Sequence, residues 1–315
     1  MSSDAFSEVS RFLPADRFGA VHQVTAISRG LSGAGVFSVD TDSGGYVLRV
    51  MPPHEFDVWL RHLAILRLAS ERGIAPALAH VDAEHRAIVS ARVDGPPLGA
   101  VLGDPASRER VLASMVSQLA ALHSLELEEI ERLDPPAVAR AHWLTQSARA
   151  GFPAWAHPVA DELDRAAAII AADPRWTLSH NDLNPGNLLW DGARVWLIDW
   201  TSSGMTHPYY DLATISTFLQ LPDEAALGLL AMQEGARPIG AQAVTFRAHR
   251  RVAAILSGLM FIKLTPDRSL HAPERADDAP TLTEVYRGLQ SGSVDLQSDA
   301  GKCMFGLALL RSALG

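Results

Sequence analysis

His180-Asn181-Asp182-Leu183-Asn184-Pro185-Gly186-Asn187 runs into Leu188-Leu189-Trp190. After a turn at Asp191-Gly192, Val195-Trp196-Leu197-Ile198 ends on Asp199. The Asn, Asp, Pro and Gly residues of the first part favour a loop, and the apolar runs on either side of Asp191-Gly192 favour two short strands joined by a tight turn. Trp176-Thr177-Leu178-Ser179 leads in from the amino-terminal side. The stretch therefore reads as loop, strand, turn and strand, with Asp182, Asn187 and Asp199 held at the ends of rigid segments.

Those three side chains suit one kind of chemistry. Moving a γ-phosphoryl group from a nucleotide to an alcohol requires the alcohol to be positioned, the phosphates to be clamped and the charge to be met by metal. A carboxylate must accept the hydroxyl proton. Mg²⁺ takes hard oxygen ligands, one or two of them from protein. The spacing His-x-Asp-x-x-x-x-Asn followed by a strand-end Asp supplies Asp182 as base and Asn187 and Asp199 as metal ligands. Taken singly, each residue has a plainer use. Asp182 and Asn187 fit a turn around Pro185-Gly186, Asp199 fits a strand-end cap, and His180 fits a backbone anchor, which is the role assigned to it here. It is the joint order, spacing and strand context that favour the chemical reading.

Upstream of this segment the chain is strand-rich. Val21–Ser28, Val36–Val39 and Tyr46–Met51 alternate in the manner of strands, with a glycine-bearing turn at Gly30–Gly35 and another at Asp42–Gly45. Glu55–Arg72 has helical periodicity closed by Gly73, and Leu78–Val81 and Arg86–Val93 are two further strands. After Asp94-Gly95-Pro96-Pro97 the composition changes. Long amphipathic helices dominate, over 108–124, 158–172, 224–234, 245–264 and 299–314. The expected architecture is α+β, with a strand-rich lobe over residues 1–95 and a helical lobe over residues 96–315. The first lobe would clamp a nucleotide; the second would carry the catalytic loop and the acceptor site. In the first lobe, Ser32, Gly33 and Gly35 place backbone N–H groups where phosphates can approach. Arg49 is the basic residue of the third strand. Flanked by Leu48 and Val50, its guanidinium must meet a partner, an anion or solvent.

Composition removes several alternatives. The 315 residues carry 36 acidic and 27 basic side chains, a net charge of −9, and no basic block, so neither nucleic acid nor an anionic membrane is an expected partner. The longest apolar run, Val252–Ile262, is too short to span a bilayer. A single cysteine, Cys303, rules out a disulfide framework and suits a reducing compartment. With Asp4 and Glu8 ahead of any basic residue there is no signal-peptide pattern, and a cytoplasmic location is expected. Of the basic residues 25 are arginine; Lys263 and Lys302 are the only lysines, so a Gly-Lys-Ser/Thr phosphate loop is excluded. Gly30-Leu31-Ser32-Gly33-Ala34 is not the Gly-x-Ser-x-Gly of a serine hydrolase.

The segment 180–189, together with Leu197-Ile198-Asp199-Trp200 and Tyr210-Asp211-Leu212-Ala213, resembles the aminoglycoside phosphotransferase and choline/ethanolamine kinase group, small-molecule kinases of protein-kinase-like fold. Tyr46–Val50, Gly73–Pro76, Val93–Leu98 and Leu119–Ser124 extend the resemblance from about residue 20 to 220. It implies ATP and Mg²⁺ as cofactors and a small-molecule alcohol as acceptor: an aminoglycoside, a choline-like amino alcohol or a related compound. It also implies Asp182 as base, Asn187 and Asp199 on Mg²⁺, Arg49 on the nucleotide phosphates, backbone groups at Ala91 and Val93 on adenine, and Asp211 as a structural acid bracing the loop. Two positions depart from the family pattern. The place of a helix Glu that would pair with Arg49 falls near His62, and Thr201 stands where relatives carry an acid after Asp199-Trp200.

Residues 96–315 carry 25 acidic and 18 basic residues. That balance suits a cationic acceptor and equally suits a solvated surface. Trp200, Tyr209 and Tyr210 are of the types that box a quaternary ammonium, although packing is the commoner use of such residues. A protein kinase is disfavoured because Asp211 follows Asp199 by only 12 positions, with no Ala-Pro-Glu. The alternative of another class is a nucleotide-binding, pseudokinase-like regulatory protein without turnover.

Overall fold

The computed structural model describes residues 9–27, 35–52, 56–96, 98–128 and 130–315. In chain order its elements are β1 (Val21–Ala26), β2 (Gly35–Thr41), β3 (Gly44–Val50), α1 (Phe56–Glu71), β4 (Leu78–Asp82), β5 (Ala87–Ala91), α2 (Leu98–Gly103), α3 (Pro105–His123), α4 (Pro135–Gln146), α5 (Val159–Ala171), β6 (Thr177–Ser179), β7 (Leu188–Trp190), β8 (Val195–Leu197), β9 (Gly204–Thr206), α6 (Tyr210–Phe218), α7 (Asp223–Glu234), α8 (Ala241–Lys263), α9 (Leu282–Ser291) and α10 (Asp299–Leu314). The α+β class expected above is the class observed.

The alternation through residues 21–91 builds one antiparallel sheet in the order β1-β2-β3-β5-β4. Val39, Leu48 and Val89 point to its covered face and pack with Phe12 and Phe18. Each such side chain, fully buried, stabilises by about 1.5–3 kcal/mol. The helix α1 ends at Gly73, whose φ of +66° is a left-handed conformation that glycine adopts without strain. Ile74 and Ala75 then donate back to Ala69 O, and the Ile74 carbonyl accepts from Leu197 N–H at 3.0 Å. The helix terminus thereby fixes β8.

The chain forms two compact units, residues 1–130 with 185–204, and residues 131–184 with 205–315. Compactness groups the chain differently from the composition change at 95/96: α2, α3 and the β7–β8 pair belong with the sheet. In the first unit Ser114 Oγ on α3 accepts from Val195 N–H at 2.9 Å, and β7 pairs with β8 in the register Leu188↔Leu197. The second unit is organised on α8, of whose 23 residues 12 are buried. One apolar cluster joins α8 to α4, α5 and α10 through Trp143, Leu163, Ile255 and Leu310. Asp104 and Asp134 cap α3 and α4 with Pro at the following position, and Thr281 with Glu284 forms a capping box on α9. Each cap contributes about 1 kcal/mol. Among the described residues no helix is long and apolar enough to cross a membrane.

The helices α8 and α10 meet at glycines. A Cβ on Gly306 would lie 2.9 Å from the Gly258 carbonyl oxygen and 2.9 Å from Ile262 Cγ1. Gly→Ala in an exposed helix gains about 1 kcal/mol. At Gly306 the crowding reverses the sign. Gly306→Ala is expected to lower stability by about 1–3 kcal/mol, read as a fall in the urea midpoint.

Candidate active site

In the first unit the two expected metal ligands come together through the β7–β8 hairpin. Asn187 closes the 3₁₀ turn Pro185–Asn187 immediately before β7. Its carbonyl accepts the N–H of Ile198, just beyond β8, at 3.0 Å. Asn187 and Asp199 therefore stand at the same end of one hairpin. At the turn end Asp191 Oδ1 accepts the N–H groups of Ala193 and Arg194, each at 2.8 Å, which holds the hairpin in register.

Asp199 has φ +62° and ψ +73°. For a residue with a Cβ this left-handed conformation costs about 1 kcal/mol, so the surroundings must hold it. Thr201 Oγ1 donates to Asp199 Oδ1 at 2.9 Å, and Trp200 Nε1 donates to Leu197 O at 3.1 Å. Thr201, which departs from the family pattern, thus supports the carboxylate of Asp199. Arg49 Nη1 lies 3.0 Å from Asp199 Oδ1, the two side chains being 15% and 26% exposed. An acid that faces Arg49 is the strand-end Asp199. At the helix position where the family pattern places a Glu, His62 is buried. A carboxylate and a side-chain amide at one hairpin end, the carboxylate partly open, are hard-oxygen donors of the kind Mg²⁺ takes. Among the described residues there is no cluster of three or more His, Cys, Asp or Glu that could hold a metal alone. This donor set fits an ion completed by phosphate and water oxygens.

The other nucleotide-facing expectations divide. Ser32 and Gly33 lie outside the described residues. Gly35 opens β2 opposite Val50, one pair from Val36↔Arg49. The N–H of Ala91 is committed to Ala77 O at 2.8 Å and that of Arg92 to Gly45 O at 3.0 Å. Ala91 can therefore offer a base only its carbonyl. The backbone of Val93 carries no such bond among the described residues.

In the second unit the loop is held from below. Asp211, in the first turn of α6, is fully buried, and its two carboxylate oxygens accept the N–H groups of His180 and Asn181, each at 2.8 Å. Asn181 is left-handed, with φ +66°, and its Oδ1 accepts from Thr206 Oγ1 at 2.8 Å. His180 is buried with its Nδ1 3.4 Å from Asp182 N–H, in keeping with an anchoring role. The Asp182 carboxylate is only partly buried and accepts from Asn184 Nδ2 at 3.1 Å. Burial pushes the Tyr210 phenol well above its usual range, and Asp211 beside it adds to the shift.

Trp200, Tyr209 and Tyr210 are each no more than 4% exposed, so they are packing residues and present no open aromatic box. Residues that the sequence does not flag support the turn into α6. His207 O accepts from Tyr210 N–H at 2.9 Å, His207 Nε2 lies 3.2 Å from Asp173 Oδ2, and Arg175 grips Asp173 through two bonds. Only the pairing of Asp173-x-Arg175 with His207, more than thirty residues away, hints at this network, and no local pattern reveals it.

Residues 23–253 match the phosphotransferase enzyme family, APH. A stretch of 51 residues is 47% identical to protein LicA of Haemophilus influenzae, covering 16% of this chain and 19% of LicA, so the match spans about a fifth of that relative's length. Among solved structures, a choline/ethanolamine kinase family protein from Mesorhizobium loti aligns with a TM-score of 0.67 at 20% identity, over 98% of each chain. LicA in complex with AMP aligns with a TM-score of 0.61 at 17% identity, over 99% of this chain and 100% of the other. At these identities the likeness identifies the fold, which is protein-kinase-like.

Asp211→Asn replaces one accepting oxygen with an NH₂ that faces a backbone N–H. The expected loss is about 2–4 kcal/mol, measured by denaturant unfolding, with Asp211→Ala losing at least as much.

Proposed function

From the premise that the chain belongs to the phosphotransferase enzyme family, we propose that it transfers the γ-phosphoryl group of ATP to a hydroxyl of a small molecule, with Mg²⁺. The observation that carries this reading is the placing of Asn187 and Asp199 at one hairpin end with Arg49 3.0 Å from the carboxylate. On this reading residues 1–95 handle the nucleotide and residues 96–315 carry the catalytic loop and the acceptor.

In this assignment Asp182 accepts the proton of the acceptor hydroxyl as its oxygen forms a bond to the γ-phosphorus and the bond to the ADP oxygen breaks. Asn187 and Asp199 hold Mg²⁺, which when bound supplies positive charge to the outer phosphates. Arg49 offers a planar fork of donors to phosphate, where a lysine would offer a point charge. Gly35 and the adjoining Ser32 and Gly33 are assigned to the phosphates, and the Ala91 carbonyl and Val93 backbone to adenine. AMP in the LicA complex supports an adenine nucleotide. The choline/ethanolamine kinase family likeness supports a small amino alcohol as acceptor, ahead of an aminoglycoside. Such an enzyme works where ATP is supplied, and the single buried cysteine suits a reducing cytoplasm. Neither nucleic acid nor membrane enters the scheme.

Release of ADP is to be followed over a panel of choline, ethanolamine, related amino alcohols, aminoglycosides and sugars. Turnover on at least one class is expected. Stabilisation by ATP with no ADP release on any acceptor would instead favour a nucleotide-binding regulatory protein. Asp182→Ala is expected to lower kcat by about 100- to 10,000-fold while ATP binding, measured by calorimetry, stays within about twofold of wild type. Asp199→Ala is expected to abolish the Mg²⁺-dependent part of the thermal shift produced by ATP; an unchanged Mg²⁺ response would remove Asp199 from the metal site.

A further inference from the structure

The end of α6 remote from Asp211 opens on a cleft of about 330 Å³, formed with α7, α8, α9 and α10. Thr217 at its rim lies six residues beyond Asp211, roughly 9 Å along the helix axis. Arg247, Arg250 and Arg251 line this cleft, and Asp223 is its one acidic lining residue. Positions i, i+3 and i+4 share one helix face, so α8 presents the three guanidiniums together. In a chain of net charge −9 these three arginines with one lining acid are a local concentration of cations, of which Arg251 is also met by Glu162.

The internal pairing leaves these cations partly served. Asp223 is gripped by Arg247, with Nε at 3.0 Å and Nη2 at 2.6 Å from Oδ2, and its contact with Arg250 Nη1 is stretched to 3.5 Å. Arg250 Nη2 donates to Leu221 O at 2.6 Å, while its buried Nε has no hydrogen-bond partner. Burial pushes the Arg250 guanidinium down from its ordinary value, which marks a charge that water does not fully stabilise. Arg251 meets Glu162 at 3.1 Å, a carboxylate that also holds Arg165 at 2.7 Å.

The backbone adds an independent sign. The helix α6 closes with Gln220 N–H on Thr217 O and Leu221 N–H on Ser216 O, each at 3.0 Å. The left-handed residue of such a closure is usually glycine. Here it is Gln220, with φ +52°, and it lines the cleft. Its Oε1 accepts from Thr283 Oγ1 at 3.1 Å, so its NH₂ remains the donor end. Gln220 thus occupies a strained position that glycine would relieve.

We propose that this cleft binds the phosphate group of a small phosphomonoester or free phosphate, held by Arg250, Arg251 and Gln220. The arginine-rich lining favours an anion, and guanidinium forks match phosphate oxygens. The site does not depend on the catalytic assignment.

The full chain is to be titrated with inorganic phosphate and, separately, with glycerol phosphate, by calorimetry and thermal shift, with sodium chloride holding the ionic strength constant. Saturable binding is expected. Tighter binding of glycerol phosphate assigns a monoester and equal binding assigns phosphate itself. Arg250→Met is expected to weaken binding about tenfold or more, and Asp223→Asn to tighten it. Gln220→Gly separates the site from a purely structural role, because it should raise the Tm of the free protein by about 2–4 °C while weakening phosphate binding severalfold. Absence of saturable binding, binding unchanged in both Arg250→Met and Gln220→Gly, or binding abolished by Arg49→Met would each overturn the proposal.

Discussion

A carboxylate closed off from solvent governs the geometry of the loop that carries Asp182. Burying an ionised Asp211 would cost several kcal/mol if its oxygens had no donors. The N–H groups of His180 and Asn181, just past the end of β6, supply them. The dependence is mutual. Asn181 can stay left-handed, and the backbone ahead of Asp182 can stay fixed, only while α6 begins where it does. Placing an acid in the first turn of α6 also sets it at the positive end of the helix dipole. His207 with Asp173 and Arg175 then steadies the turn that feeds α6.

The first unit solves a different problem, that of keeping a charge on an apolar strand. Arg49 lies between Leu48 and Val50 in the middle of a five-stranded sheet, paired in register with Val36 and Ile88. Its ion pair with Asp199 couples β3 to the end of the β7–β8 hairpin, and Thr201 adds a donor to the same carboxylate. An arginine there has consequences a lysine would not, since its planar group can serve one carboxylate oxygen and still offer donors to an anion. Asp199 meets Arg49 from a left-handed backbone position, so the ion pair and the Thr201 bond are among the contacts that hold that conformation.

Elements were legible where a period or a punctuation mark reaches the surface of the sequence. Alternation marks β1 to β3, Gly73 marks the end of α1, and the apolar stripe of α8 stands out against its arginines. The helix α6 is hidden for a physical reason. Eight of its nine residues are buried, so no polar face breaks the pattern into a helical period. The prolines at 135 and 136 occupy the first turn of α4, where a missing N–H costs nothing. For α9 the signal was present in Thr281 and Glu284, a capping box three residues apart.

The order and spacing of Asp182, Asn187 and Asp199 are properties of the chain itself, because loop and strand ends are decided by neighbours a few residues away. Local sequence was therefore enough to nominate those residues and the α+β class. It could not decide what faces Arg49, which backbone donors are already used at Ala91, whether Trp200, Tyr209 and Tyr210 are open or packed, or that Arg247 and Arg250 of α8 meet at Asp223 while Arg251 meets Glu162. Each of those depends on contacts between segments far apart in sequence. Burial and pairing there are settled by which surfaces the folded backbone brings within hydrogen-bond reach, and no local spacing encodes that.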